Sequence, residues 1–227
     1  IFPDNVQFVR WITWHQQLDQ LVDRFGVCQD PQIPQYKLSS LSFRVSQYKR
    51  FITAYLLKHA DNQDIMLTYH NSLGKQEDLH NYPKGFPWLD DLDLDLSPTF
   101  INFNDGFTLE KNKAVDNGGW TNPAFQNALI NFTNESFHYS YMEHNGCGYV
   151  WPGPFLSEKT LSCLAGGTAF LSAGQFEVYK TLSTLGLKFD YGNIDLSWDL
   201  HAGNLTRLEG LVNTVSKLKD YTAEEIY

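Results

Sequence analysis

The chain has 227 residues, 42% hydrophobic and 19% charged, a balance that excludes a disordered polyelectrolyte and suffices for one large α/β core or two small ones. A formal net charge of −9 gives no general attraction to phosphate backbones, so a polynucleotide partner would need a local basic patch. No apolar run approaches the roughly 18 residues that a spanning helix needs and no secretory signal is evident, so a soluble, cytoplasmic protein without a membrane partner is expected.

Val6, Val9, Ile12, Leu18, Leu21, Val22 and Phe25 recur near helical spacing and Gly26 offers a stop, which predicts an amphipathic helix over residues 6 to 25. Pro31 and Pro34 mark a linker. Residues 36 to 43 read as a strand, 48 to 59 as a helix and 64 to 70 as a second strand, together a βαβ unit. Between 71 and 124, Gly, Pro, Asn and Asp are frequent and periodicity is poor, so an irregular insertion is expected. Residues 128 to 133 are a run of the buried-strand type, followed by an expected Gly/Pro-rich loop over 144 to 154. Ser157 is a natural N-cap for a helix to about residue 165, ended by Gly166-Gly167, and residues 168 to 172 form a short strand. Gly174 turns the chain into a helix over 176 to 184, Gly186 precedes a strand at 187 to 191, and residues 205 to 218 are helical. This alternation predicts an α/β, Rossmann-like fold with a mostly parallel sheet and helices on both faces. An N-terminal helix and linker would occupy residues 1 to 35 and a single larger domain residues 36 to 227.

The segment 152 to 174 carries most of the chemistry. Glu158 and Lys159 fall in the first turn of a helix, behind a loop, where free N–H groups and the helix dipole favour phosphate oxygens. Lys159 would supply a point charge to a diphosphate, and Glu158 could accept hydrogen bonds from a ribose diol. Ser157, Glu158 and Thr160 would also suit plain capping of that helix, with the lysine solvated. Ligands of open α/β sheets bind beyond the carboxyl ends of the strands, where Asn134, Glu135 and Ser136, the start of the 158 helix and the turn at Gly174 should converge.

Three stretches, Ile130-Asn-Phe-Thr-Asn-Glu-Ser136, Phe155-Leu-Ser-Glu-Lys-Thr160 and Leu164-Ala-Gly-Gly-Thr-Ala-Phe-Leu-Ser-Ala-Gly174, resemble the donor-binding domain of fucosyltransferase-like GT-B glycosyltransferases. That family has a Phe-Glu-Asn-Ser strand end, a Thr-Glu-Lys helix start and a Leu-Leu-Ala-Gly-x-x-Pro-Val strand. The chain is also similar to glycosyltransferase-like proteins of bacteriophages and marine cyanobacteria, which continue with a Leu-Gly-x-x-Phe-Asp turn, here at residues 185 to 190, and an acidic aromatic motif, here Leu196-Ser-Trp-Asp199. The resemblance implies a nucleotide-sugar-binding domain over 36 to 227 and a UDP- or GDP-sugar donor with no required cofactor. It also implies an acceptor that is a glycan or a modified nucleobase in viral DNA, and a location in the host cytoplasm if the chain is viral. It assigns the donor diphosphate to an arginine after the first strand, matched by Arg50 with Arg44 as substitute. Ser157 stands where the family has Thr, Glu135 is offset from the Phe-Glu-Asn order, and Ala169 replaces Pro. About 35 residues precede the resemblance, so either the acceptor domain is absent from the chain or the insertion at 71 to 124 provides a reduced substitute.

Other features compete. Asp91, Asp93 and Asp95 form an Asp-x-Asp pattern by which a GT-A enzyme holds a divalent metal, although alternating Asp and Leu equally describes a half-buried strand or acidic turn. His70, His80, His138, His144 and His201 lack metal-ligand spacing, and His70, at a strand end, is the candidate base. Tyr139, Tyr141 and Trp151 could stack on a base or sugar. Cys28, Cys147 and Cys163 form no metal pattern, and Asn131, Asn134 and Asn204 head glycosylation triplets that arise easily by chance. A non-catalytic nucleotide-sugar or carbohydrate-binding module is the alternative of a different class.

Overall fold

The computed structural model describes residues 20, 22–23, 26, 34–42, 46–69, 84–102, 123–135, 141–144, 147–150, 154, 156–189, 191–192, 194–218 and 220–221. In chain order the elements are β1 (Tyr36–Ser42), α1 (Gln47–His59), β2 (Ile65–Tyr69), α2 (Pro87–Asp90), β3 (Thr99–Ile101), α3 (Pro123–Gln126), β4 (Ala128–Asn134), β5 (Tyr141–His144), β6 (Cys147–Val150), α4 (Glu158–Gly166), β7 (Ala169–Ala173), α5 (Val178–Thr184), a 3-10 turn (Ser197–Leu200) and α6 (Asn204–Leu218). Five strands make one sheet in the order β3-β2-β1-β4-β7, parallel throughout except for β3. The chain is therefore α/β with a mostly parallel sheet, and the strands at 128 and 169 lie side by side in it.

Hydrophobic spacing explains the helices. On α1 the residues Tyr48, Phe51, Ile52, Tyr55 and Leu56 are buried at intervals of three and four, and on α6 Leu208, Leu211, Val212 and Val215 repeat that pattern. Both stripes join the strand residues Leu38, Ile65, Leu67, Ile130, Phe132 and Leu171 in one core. Each fully buried side chain of this size contributes about 1.5–3 kcal/mol.

Alternation along the strands separates the two faces. Arg50 of α1 reaches Tyr69, the register partner of Ser42, whereas Thr160 of α4 reaches Thr133, which points the other way from Asn134. Hence α1 covers the Ser42 face and α4 the Thr133 face. The connections β1-α1-β2 and β4-α4-β7 run outward in opposite directions, so the direction of winding reverses between β1 and β4.

Three expectations change. Residues 187–189 and 191 do not extend the sheet: Phe189 packs edge-on against Phe170 and Tyr179, and Tyr191 Oη accepts from the Phe170 N–H at 3.2 Å. That hydroxyl occupies a donor on edge strand β7 which a further strand would have used. The expected loop at 144 to 154 holds strand β6, which pairs antiparallel with β5 just before it, a hairpin for which Asn145-Gly146 was the available sequence signal. The insertion at 71 to 124 contributes the antiparallel edge strand β3, too short to leave a period. Its last residue is followed by Asn102, whose side-chain amide donates to the Ile65 carbonyl at 2.8 Å. Of the helix expected over 6 to 25, only residues 20, 22 and 23 are described. They are helical, and Gly26, with φ of 71°, donates to the Val22 carbonyl at 2.7 Å as the expected stop.

Candidate functional site

The carboxyl ends of β1, β2, β4 and β7 form one edge, where the first turns of α1, α4 and α5 also lie. At this edge the last residues of the strands make a row on the Ser42 face. Ser42 is in register with Tyr69 and Asn134 with Ala173, and the Asn134 Nδ2 donates to Ser42 Oγ at 2.8 Å and Ser40 Oγ at 2.9 Å. This amide ties β1 to β4 across the winding reversal. Because the Asn134 Nδ2 serves both serines, its Oδ1 is left buried without a hydrogen-bond partner among the described residues.

The α4 side is closed upon itself. Ser157 has extended N-cap geometry and accepts from the Lys159 N–H at 3.3 Å. Glu135, fully buried at the end of β4, accepts from the Ser157 N–H at 2.6 Å and from the Thr160 hydroxyl, which lies 3.0 Å from Thr133 Oγ1. Both carboxylate oxygens of Glu135 are thus engaged inside the chain. Burial pushes the Glu135 carboxyl up, against the opposing pull of Thr160, Lys159 and Ser157. Gly174 packs closely on the same cluster: a Cβ there would lie 3.0 Å from Ser172 Oγ and 3.2 Å from Glu135 Cγ, so those side chains would have to shift by a few tenths of an ångström.

Glu158 and Lys159 form an ion pair at 3.1 Å, with the glutamate side chain 36% exposed and the lysine 11%. Burial works to raise the Glu158 carboxyl, but Lys159, the helix's own N–H and the more distant Lys49 together hold it below its ordinary value. Lys49 was not anticipated from the sequence. Its influence on Glu158 brings the first turn of α1 within electrostatic reach of the first turn of α4.

The α1 side is buried but has fewer internal partners among the described residues. Ser46 has N-cap backbone geometry, yet its side chain makes no cap hydrogen bond and its Oγ is buried without a partner among the described residues. Arg50 is 4% exposed, and its Nε–H donates to Tyr69 Oη at 3.4 Å. Its Nη1 is buried without a partner, and no carboxylate pairs with it among the described residues. A buried guanidinium lacking a counter-ion costs several kcal/mol unless an anion joins it.

The sequence-derived candidates therefore divide. Arg50, Asn134, Glu135, Ser157, Glu158, Lys159, Thr160 and Gly174 share the carboxyl edge, while Arg44 and His70 lie outside the described residues. His80, His138, Tyr139 and Trp151 also lie outside them. Asp91 is elsewhere: it binds Lys58 in the last turn of α1, eight residues from Arg50, or roughly 12 Å along the axis at 1.5 Å per residue. Asp93 accepts from the Asp95 N–H at 3.0 Å, and no group of three or more metal-binding side chains occurs among the described residues. An apolar depression lined by Lys37, Tyr55, His59, Asp64 and Val215 lies at the opposite, amino-terminal edge of β1 and β2. Asn131 and Asn134 are buried, which removes two of the three glycosylation triplets, and Cys163 is a buried free thiol whose pKa burial raises. No helix among the described residues is long and apolar enough to cross a membrane.

Ser40, Ser42, Lys49 and Tyr69 are the site residues that sequence reading missed. Ser39, Ser40 and Ser42 were legible as a signal, because a strand buried on both faces of a parallel sheet ordinarily reads as a continuous apolar run. Compared with known proteins, the chain matches no family model, no curated protein and no solved structure.

Proposed function

We propose that the chain binds a nucleotide-sugar donor, a UDP- or GDP-sugar, at the crevice between β1 and β4 and transfers its sugar, as the Rossmann-like donor-binding part of a GT-B glycosyltransferase. The observation that carries the reading is a buried arginine without a counter-ion among the described residues, Arg50, in the first turn of a helix at the winding reversal of a mostly parallel sheet. Such a site fits the anionic part of a ligand, by its charge and by its place at the start of a helix whose N-cap serine makes no side-chain cap hydrogen bond. Glu158, ionised and partly exposed, suits the ribose diol, and Lys159 beside it suits the diphosphate.

In the reaction the bond between the anomeric carbon and the diphosphate oxygen breaks, the acceptor oxygen bonds to that carbon, and its proton passes to a base or to water. Arg50, Lys49 and Lys159 would stabilise the charge that develops on the departing diphosphate, so transfer should proceed without a divalent cation. The acidic chain favours a glycan over a nucleic-acid acceptor. Thermal-shift titration with UDP-, GDP-, CMP- and dTDP-sugars tests the donor, and release of free nucleoside diphosphate tests turnover. Stabilisation by one nucleotide class with slow hydrolysis is expected. Stabilisation without hydrolysis would identify a binding module, and no stabilisation by any would overturn the reading. Loss of transfer on chelation, restored by manganese, would move the site to Asp91, Asp93 and Asp95.

A further inference from the structure

Resting on that reading, we infer that Tyr69 is the positioning residue of the anion site, holding the Arg50 guanidinium so that its Nη1 is presented to a diphosphate. Tyr69 ends β2, is 1% exposed, and occupies the row that continues through Ser42 to Asn134. Its hydroxyl accepts from Arg50 Nε, which fixes the inner edge of the guanidinium and leaves Nη1 as the buried donor without a partner among the described residues. An arginine has several rotatable bonds, and a single anchored N–H converts a mobile charge into a directed fork.

The contrast with the other buried arginine among the described residues shows why an oxygen at this point matters. Arg207, 1% exposed, donates to the carbonyls of Gly174 at 3.2 Å and His201 at 2.8 Å and to Asn204 Oδ1 at 3.1 Å, so internal oxygens take up its fork. Among the described residues Arg50 has the Tyr69 hydroxyl, and its Nη1 has no partner. A neutral acceptor anchors the group without neutralising it, whereas a carboxylate at position 69 would consume the charge that the ligand needs.

The experiment measures inorganic pyrophosphate binding calorimetrically for the full chain, Tyr69→Phe, Arg50→Ala, Arg50→Lys and the double variant Tyr69→Phe/Arg50→Ala, with thermal melting as the control for folding. Pyrophosphate has no base or sugar, so the result does not depend on knowing the donor. Tyr69→Phe should weaken binding about tenfold, the loss expected when one hydrogen bond to a charged group goes. In the Arg50→Ala background it should have no further effect, because Tyr69 acts through Arg50. Arg50→Lys, which keeps the charge and loses the anchored Nε–H, should bind no better than Tyr69→Phe, and it decides the matter if the phenylalanine variant fails to fold. Wild-type affinity in Tyr69→Phe or Arg50→Lys, or additive losses in the double variant, would overturn the role of Tyr69 alone. Absence of pyrophosphate binding by the unaltered chain would overturn both this inference and the functional reading beneath it.

Discussion

Two helices that begin at the same edge of the sheet start in opposite ways. The first turn of α4 is capped by its own chain, with Ser157 on the Lys159 N–H, and Glu135 on the Ser157 N–H and on the Thr160 hydroxyl. The first turn of α1 has an N-cap serine that caps nothing and an arginine that pairs with no carboxylate among the described residues. A third helix, α5, resembles α4: the Asp199 carboxylate accepts from the N–H groups of Val178 at 3.1 Å and Tyr179 at 3.0 Å. The difference teaches that a helix N-terminus at the right edge is not by itself a ligand site. What matters is which donors the chain itself already satisfies: the N-caps of α4 and α5 are met by Ser157, Glu135 and Asp199, whereas Ser46 makes no side-chain cap and Arg50 Nη1 has no partner among the described residues.

The largest expected effect falls on the α4 side. Glu135→Ala would strand the Ser157 N–H and the Thr160 hydroxyl in the interior, and should cost about 2–4 kcal/mol of stability in urea unfolding. Wild-type stability would break the claim that this cluster is structural.

Next in size is the pH dependence contributed by α5. Burial raises Asp199 from 3.8 to about 6, against the two backbone hydrogen bonds and Arg207. Because the folded-state value lies above the unfolded one, its contribution to stability is complete below about pH 4 and is lost as pH rises to about 6, on the order of 2 kcal/mol. Asp199→Asn should flatten unfolding free energy across that interval, and parallel curves for the two proteins would count against it.

Arg50→Met should act with the opposite sign to Glu135→Ala. Removing a buried charge that lacks a counter-ion among the described residues should raise unfolding stability by about 1 kcal/mol while donor binding is lost. A large destabilisation instead would make Arg50 a structural residue and erase the contrast between the helices.

The smallest effects sharpen the comparison most directly. Ser157→Ala should cost about 1 kcal/mol, the ordinary value of an N-cap, whereas Ser46→Ala should be close to neutral in the absence of ligand. Equal costs in chemical denaturation would mean that α1 is capped after all.

The sequence by itself determined the α/β character, the parallel pairing implied by the βαβ spacing, and the placement of α1, β4, α4, β7 and α6 to within a residue or two. These follow from local periodicity and from glycine and serine at helix ends, which act over a few positions in the chain. It also marked 158 to 160 as a helix start, since Ser157 carries that signal locally. Only the tertiary structure decided which helix start lacks a side-chain cap. Glu135 fills the α4 end from 22 residues away, Tyr69 anchors Arg50 from 19 residues away, and Asn134 joins Ser42 from 92 away. The same holds for β3, whose three residues owe their strand to pairing with β2, and for residues 187–189 and 191, where Tyr191 takes up the N–H of edge strand β7 that another strand would need. Satisfaction of a buried donor or acceptor depends on which distant groups the fold brings within about 3 Å, and no local pattern encodes that.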